Sequence, residues 1–258
     1  MRKSLIDKSG WAQGWDAHIP GAVARPAIDP LLKKHLPGKA PGANGYSLIE
    51  LGCSPGNNLV YFARDFSYKV TGLDYAGMEL TKRLLNESGV QAELIERDMF
   101  DWRPDAPYDV VFSSGVLEHF DPPDEVFRIH KNACAPGGHV VICVPNMRYA
   151  NKVVADILCP GLSGIHNLKI LSPHRLRAHF EGGGFDVLYC DYYKTSLLNI
   201  KPGYDFWGGR RWLKKIHTVL GKILALLRLD NIPNRFFSPN IVIIARKNPE
   251  SNSRIMHL

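Results

Sequence analysis

Short, near-continuous apolar runs recur along this chain at Tyr46–Leu51, Lys69–Leu73, Ala92–Ile95, Asp109–Ser113, His139–Val144, Phe185–Cys190 and Asn240–Ala245, and they predict strands. Runs such as Val140-Val141-Ile142-Cys143-Val144 lack polar alternation, as expected of strands covered on both faces. Stretches between the first five, for example Asn57–Asp65 and Met78–Ser88, read as helices or tight connections, and Pro173–Glu181 predicts another helix. Alternating strands and helices predict an α/β fold with a parallel sheet wound on both faces.

The Pro/Gly-rich stretch 37–45 reads as a linker, so residues 1–45 form an N-terminal arm, expected to cap the site of a main domain spanning 46–258. Two long connections interrupt the rhythm, at about 146–172 and 194–239, and insertions of that length are usually binding loops or lids. There is no internal repeat and no low-complexity tract.

The 258 residues suffice for one large α/β domain, and an apolar fraction of 45% is that of an ordinary globular chain. Neither a run of about 18 apolar residues nor a signal-peptide core is present, and the five cysteines include no C-x-x-C pair. These features predict a cytoplasmic protein with reduced thiols. The ten histidines show no metal-ligand spacing, so no metal is expected. The net charge of +7 changes the picture once it is located. Residues 201–258 carry 11 basic and 3 acidic residues, and the rest of the chain is near balance.

The chemistry is concentrated at strand ends. The first strand leads through Glu50-Leu51-Gly52-Cys53-Ser54-Pro55-Gly56 into a helix, a turn whose glycines allow the backbone to approach a ligand. The second strand ends Gly72-Leu73-Asp74, with a carboxylate able either to accept hydrogen bonds from ribose hydroxyls or to cap the next turn. Arg97-Asp98-Met99 follows the third strand, an acid and an apolar side chain suited to an adenine edge and face. The fourth runs on through Ser114-Gly115-Val116-Leu117-Glu118-His119-Phe120, and Ala135-Pro136-Gly137-Gly138 precedes the fifth. A dinucleotide fingerprint would need G-x-G-x-x-G, which is absent.

This order of landmarks resembles the class I S-adenosylmethionine-dependent methyltransferases, most closely the small-molecule branch called type 11, which includes ubiquinone-biosynthesis O-methyltransferases. The match covers about 46–145, and the stretch Ser238–Ile244 is similar to the family's final strand. The resemblance implies a Rossmann-like, doubly wound seven-stranded sheet, mostly parallel with an antiparallel last strand, and S-adenosylmethionine as cofactor. It implies that Glu50, Gly52, Cys53, Ser54 and Gly56 surround the methionine moiety and that Asp74 with Tyr75 meets the ribose. Asp98 and Met99 would flank the adenine, and Ser114 would border the cofactor. Ser54 stands where such loops often carry glycine, so its hydroxyl would crowd the cofactor or contact its carboxylate.

Glu118 and His119 lie just beyond the fourth strand, near the expected methyl group. An imidazole with the ordinary pKa of about 6.5 suits removal of a hydroxyl proton at neutral pH. The alternative is that the pair braces the turn before Asp121-Pro122-Pro123-Asp124, which reads as a helix start. His166, in the first insertion, is a second candidate base. The implied acceptor is a small molecule, with a hydroxyl as the leading target and a lipid-linked or saccharide compound as possible classes.

Two further classes compete. A nucleic-acid enzyme would suit the pI near 9.1, but the positive charge is not spread around the predicted catalytic face. The Asp-Pro-Pro motif comes too late and ends without an aromatic. Cys53-Ser54-Pro55-Gly56, similar to ribosomal RNA 2′-O-methyltransferases, lacks their lysine partner. A silent cofactor-binding scaffold is the other. The positive charge instead gathers on 210–228, where Trp212, Ile216, Val219, Leu220, Ile223 and Leu227 are helically spaced against Arg211, Lys214, Lys215 and Lys222. Such a helix either packs on its own domain or lies peripherally in a membrane interface.

Overall fold

A computed structural model describes residues 3–6, 25–38, 45–158, 161–195, 219, 222–223, 226–227 and 229–249. Its centre is a seven-stranded sheet of β2 (Ser47–Leu51), β3 (Lys69–Asp74), β4 (Glu93–Glu96), β5 (Tyr108–Ser114), β7 (Cys134–Pro145), β8 (Phe185–Tyr193) and β9 (Asn240–Lys247), in the order β4-β3-β2-β5-β7-β9-β8. The pairs among β4, β3, β2, β5 and β7 are parallel, and β9 runs antiparallel to both β7 and β8. The last strand in sequence is therefore the reversed one, as the resemblance implied. Every apolar run expected to be a strand lies in this sheet.

Burial follows the apolar pattern. Leu48, Ile49, Leu51, Val110, Val111, Val140, Val141, Ile243 and Ile244 are each essentially inaccessible. Alternate residues of one strand join separate cores, Ile49 and Leu51 on one face of the sheet and Leu48 on the other. This is the two-sided cover that removes polar alternation from parallel strands. The helices include α1 (Asp29–His35), α2 (Asn57–Tyr61), α3 (Met78–Ser88), α4 (Asp124–Ala133), α5 (Tyr149–Leu158) and α6 (Pro173–Ala178). The start of α4 falls where Asp-Pro-Pro-Asp predicts a helix, with Pro123 as N-cap. Ser172 caps α6 by accepting from the Arg175 amide.

The structure differs from the sequence reading in several places. Strand β7 begins at Cys134, so Ala135-Pro136-Gly137-Gly138 lies within it, and a register break between Tyr108 and Val110 of β5 absorbs the irregularity. The helix expected over Asn57–Asp65 is α2 followed by a π-helical turn, Phe62–Phe66. The arm holds α1 as well as a two-residue strand β1 (Lys3–Ser4), which pairs antiparallel with β6 (Phe120–Asp121). The first insertion carries α5 and a 3₁₀ turn, Leu162–Ile165. Residues 39–44 of the linker, Cys159, and Trp212, Lys214, Lys215, Ile216 and Leu220 of the basic segment lie outside the described residues.

Candidate active site

The carboxyl ends of β2, β3 and β5 meet where the strand order reverses, the usual place for a ligand in an open α/β sheet. Gly52 turns the chain there with φ of +73°, and its amide donates to the Leu73 carbonyl at 2.8 Å. A Cβ at Gly52 would stand 2.4 Å from Val116 Cγ2, so any side chain would displace the loop after β5. Gly56, with φ of +98°, leads into α2, and its Cβ would meet Thr81 Cγ2 at 3.0 Å. The turn is thus held close to β3 and β5 by residues that cannot be enlarged.

Glu50 is fully buried at the end of β2. Its Oε1 accepts from Asn58 Nδ2 at 2.7 Å, while its Oε2 has no hydrogen-bond partner among the described residues. Burial drives this carboxyl well above the usual carboxylate range; the Asn58 hydrogen bond opposes the shift and the Asp74 charge adds to it. A buried acceptor left over in this way needs a donor from elsewhere.

Asp74 caps the loops around it. Its Oδ2 accepts from the Ser54 amide at 3.0 Å, and its Oδ1 accepts from the amides of Tyr75 and Ala76 at 2.8 and 3.2 Å. Burial raises its pKa, against these three backbone bonds and the nearby Ser54 hydroxyl. These bonds take up most of the about four acceptor positions that a carboxylate offers. The Ser54 hydroxyl donates to the Ala76 carbonyl at 2.7 Å and accepts from Thr81 at 3.2 Å. Cys53 packs its sulfur in the core against Gly72, and burial pushes that thiol up. Met99 is also buried in the core, and Asp98 accepts from the Phe100 amide at 3.0 Å. Ser114 ends β5, half-buried.

Glu118 and His119 form a 3₁₀ turn after β5, both buried. His119 Nδ1 lies 2.8 Å from the Ile165 carbonyl. A carbonyl only accepts, so Nδ1 carries a proton, and Nε2 is the nitrogen whose protonation can change. That Nε2 is 3.9 Å from Glu118 Oε1, and the His166 ring centroid lies 4.8 Å from that of His119. Donor atoms of Glu118, His119 and His166 all fall within 4.8 Å of one another, a grouping that could handle a proton or hold a metal ion. The sequence showed no such spacing, because His166 arrives from the first insertion. Asn167 seats that insertion, with its amide on the Glu118 carbonyl and its Nδ2 on the Phe120 carbonyl. On the other side the Leu5 amide donates to the His119 carbonyl at 2.9 Å.

A further residue at the tip of β5 escaped the sequence reading. His130 of α4 is fully buried, with Nδ1 on the Val126 carbonyl and Nε2 2.8 Å from Ser113 Oγ. Burial lowers its pKa to about 4, so it is neutral and accepts the Ser113 proton. Histidine at a helix position facing a strand serine was the available signal.

Comparison with known proteins fits this geometry. The family model described as a methyltransferase domain matches residues 16–189. The ubiquinone biosynthesis O-methyltransferase of Escherichia coli O9:H4 is 29% identical over 198 residues, covering 69% of this chain and 80% of that protein. The corresponding protein of Shigella boydii serotype 18 matches to the same extent. Among solved structures, an S-adenosylmethionine-dependent methyltransferase from Mesorhizobium loti has a TM-score of 0.56 at 18% identity, covering 88% of this chain and all of the other. A methyltransferase from Archaeoglobus fulgidus has a TM-score of 0.54 at 18% identity, with 85% and 93% covered. At these identities the two structures speak for the fold.

Proposed function

Since this chain belongs to the methyltransferase domain family, we infer that it moves the methyl group of S-adenosylmethionine to a hydroxyl of a small acceptor. The residues fit that cofactor. The orphaned Glu50 Oε2 can accept from its ammonium group, and the Gly52–Gly56 turn forms a cradle that a Cβ would fill. The acceptor capacity left on Asp74 suits one ribose hydroxyl, and Asp98, Met99 and Ser114 border the rest. S-adenosylmethionine supplies an electrophilic sulfonium methyl when bound.

The chain's own part is to position and deprotonate the acceptor. His119 Nε2 takes the hydroxyl proton, and the Glu118 carboxylate at 3.9 Å steadies the resulting imidazolium. Ile165 fixes the tautomer that makes this possible. The observation carrying the small-molecule reading is the enclosure of this pair. Both side chains are buried, with the insertion seated on one side and β1 on the other, and such closure excludes water from the methyl transfer. That arrangement suits a small acceptor better than a nucleic-acid duplex.

Two experiments test these assignments. Asp74→Ala should weaken S-adenosylhomocysteine binding by the value of one charge-assisted hydrogen bond, about 1.5–3 kcal/mol, in titration calorimetry; equal affinity would remove Asp74 from the site. Methyl-labelled cofactor incubated with fractionated cell extract should label low-molecular-weight material. Label appearing in RNA would overturn the small-molecule reading.

A second reading concerns where the acceptor is met. Val219, Ile223, Leu226 and Leu227 are 55%, 45%, 82% and 59% exposed. These four described apolar positions of the basic segment are therefore exposed. Inserting each into an apolar phase is worth about 1.5–3 kcal/mol, and the neighbouring cations favour an anionic surface. This supports peripheral contact with a membrane carrying a lipid-linked acceptor. Among the described residues no helix is long and apolar enough to cross a membrane.

A further inference from the structure

The two insertions meet at one tyrosine. Tyr149, the first residue of α5, has the guanidinium carbon of Arg148 at 5.1 Å from its ring centroid and that of Arg235 at 5.7 Å. Arg235 is also 4.8 Å from the centroid of Phe236, and Phe236 meets Tyr149 edge-on at 5.3 Å. The phenol of Tyr192 on β8 lies within electrostatic reach of both guanidiniums. Tyr149 holds this place with φ of +52°, a left-handed conformation that costs a non-glycine residue free energy and tends to persist at functional positions.

The platform is built from buried amides. Asn146 Nδ2 donates to the carbonyls of Arg235 and Ser238 at 3.0 and 2.9 Å, and Asn151 Nδ2 donates to the Ser238 carbonyl at 2.9 Å. Asn234 Oδ1 accepts from the amides of Phe236 and Phe237, which closes the turn carrying Arg235. Arg148 touches the segment that covers the candidate base, since its Nη1 lies 3.4 Å from the Leu171 carbonyl. The loop bearing it follows Pro145, the end of β7, two residues beyond Cys143, which pairs with Ser114 and whose carbonyl accepts from the Gly115 amide. The cluster therefore follows the carboxyl end of β7, the strand beside β5, and touches the insertion that carries His166.

Among the described residues neither guanidinium meets a carboxylate. The nearby ion pairs, Lys152 with Asp156 and Lys169 with Asp121, involve other cations. Two like charges held against one ring repel unless an anion joins them. A guanidinium near an aromatic ring still presents N–H groups in a fork that matches phosphate oxygens.

We propose that Arg148 and Arg235 form an anion subsite that receives a phosphate group of the methyl acceptor. The proposal rests on the small-molecule reading above and narrows it to phosphorylated acceptors.

Inorganic pyrophosphate titrated into the full chain, with S-adenosylhomocysteine already bound, tests it by calorimetry. The wild type should bind, and the doubly substituted R148Q/R235Q protein should bind about tenfold weaker or less, as expected when two charged forks are lost. The single and double Arg→Lys variants, which keep charge but lose the fork, should fall between, and they serve if the glutamine variants unfold. S-adenosylhomocysteine affinity should be equal in all of them; its absence in the wild type would instead count against the methyltransferase assignment. Vesicles of phosphatidylglycerol, compared with phosphatidylcholine, separate the sources of phosphate. Retention on phosphatidylglycerol that pyrophosphate reverses and R148Q/R235Q abolishes supports a lipid-borne phosphate. Pyrophosphate binding without retention supports a soluble phosphorylated acceptor. Pyrophosphate that fails to bind the wild type, or binds the double variant equally well, overturns the proposal.

Discussion

Replacing Glu50 with glutamine separates the two demands made on this buried carboxyl. Glutamine keeps the size of the side chain and can still accept from Asn58 Nδ2 through its amide oxygen. It substitutes an NH₂ donor for the oxygen that has no partner among the described residues. Burial raises the folded-state pKa of Glu50 above the ordinary 4.5. The fold therefore holds this proton more tightly than the unfolded chain does, and the associated stability is fully present below about pH 4.5 and lost as pH rises through the folded value. At neutral pH, without cofactor, an ionised Glu50 would be a buried charge with one hydrogen bond. Glu50→Gln should accordingly raise Tm at pH 7 by about 2–4 °C for each kcal/mol recovered, with the difference closing towards pH 4. The same change should weaken S-adenosylhomocysteine binding by one charge-assisted hydrogen bond, about 1.5–3 kcal/mol, or roughly tenfold to a hundredfold in Kd. Thermal scans across pH and calorimetric titration read the two effects independently. A variant with wild-type affinity and an unchanged Tm would refute the view that Glu50 waits for the cofactor's ammonium group.

His119→Ala should lower turnover by about 10²–10⁴ while leaving cofactor affinity intact; near-normal turnover would return His119 to a bracing role for the loop after β5. The full chain should co-sediment with anionic vesicles at low salt and be released as salt rises, because screening shortens the reach of each cation. Changing Lys214, Lys215 and Lys222 to Glu should abolish that retention with cofactor affinity unchanged, and wild-type protein that stays in the supernatant would leave the segment as a solvated surface.

The sheet was legible because its strands are buried on both faces, so Val140–Val144 and Ile241–Ala245 read as unbroken apolar runs. The glycine turn after β2 was legible because close packing against Val116 and Thr81 forbids side chains at Gly52 and Gly56. Helix α5 was not, because Val153 and Ile157 point outward, and an exposed apolar stripe looks like an irregular connection when read for core contacts. The Asp29-Pro30 start of α1 was a usable helix signal. The meeting of His166 with His119 depends on Asn167 bonding to the carbonyls of Glu118 and Phe120, and no periodicity encodes such a long-range seat. Ser54 is a similar case. Its residue type suggested crowding or contact at the loop, and the bond from its hydroxyl to the Ala76 carbonyl depends on packing between loops that no local pattern encodes.

The two-residue ladder between β1 and β6 has a kinetic consequence. It consists of main-chain pairing, so its hold on the His119 carbonyl through Leu5 depends little on which side chains the arm carries. Ladders this short open at a small fraction of the global unfolding free energy, unlike the central strands β2 and β5. Opening this ladder and the Leu5 hydrogen bond parts β1 from the turn bearing His119, a local event that does not require global unfolding. Amide hydrogen exchange at Leu5 becomes a clock for that opening, faster than exchange at β2 or β5.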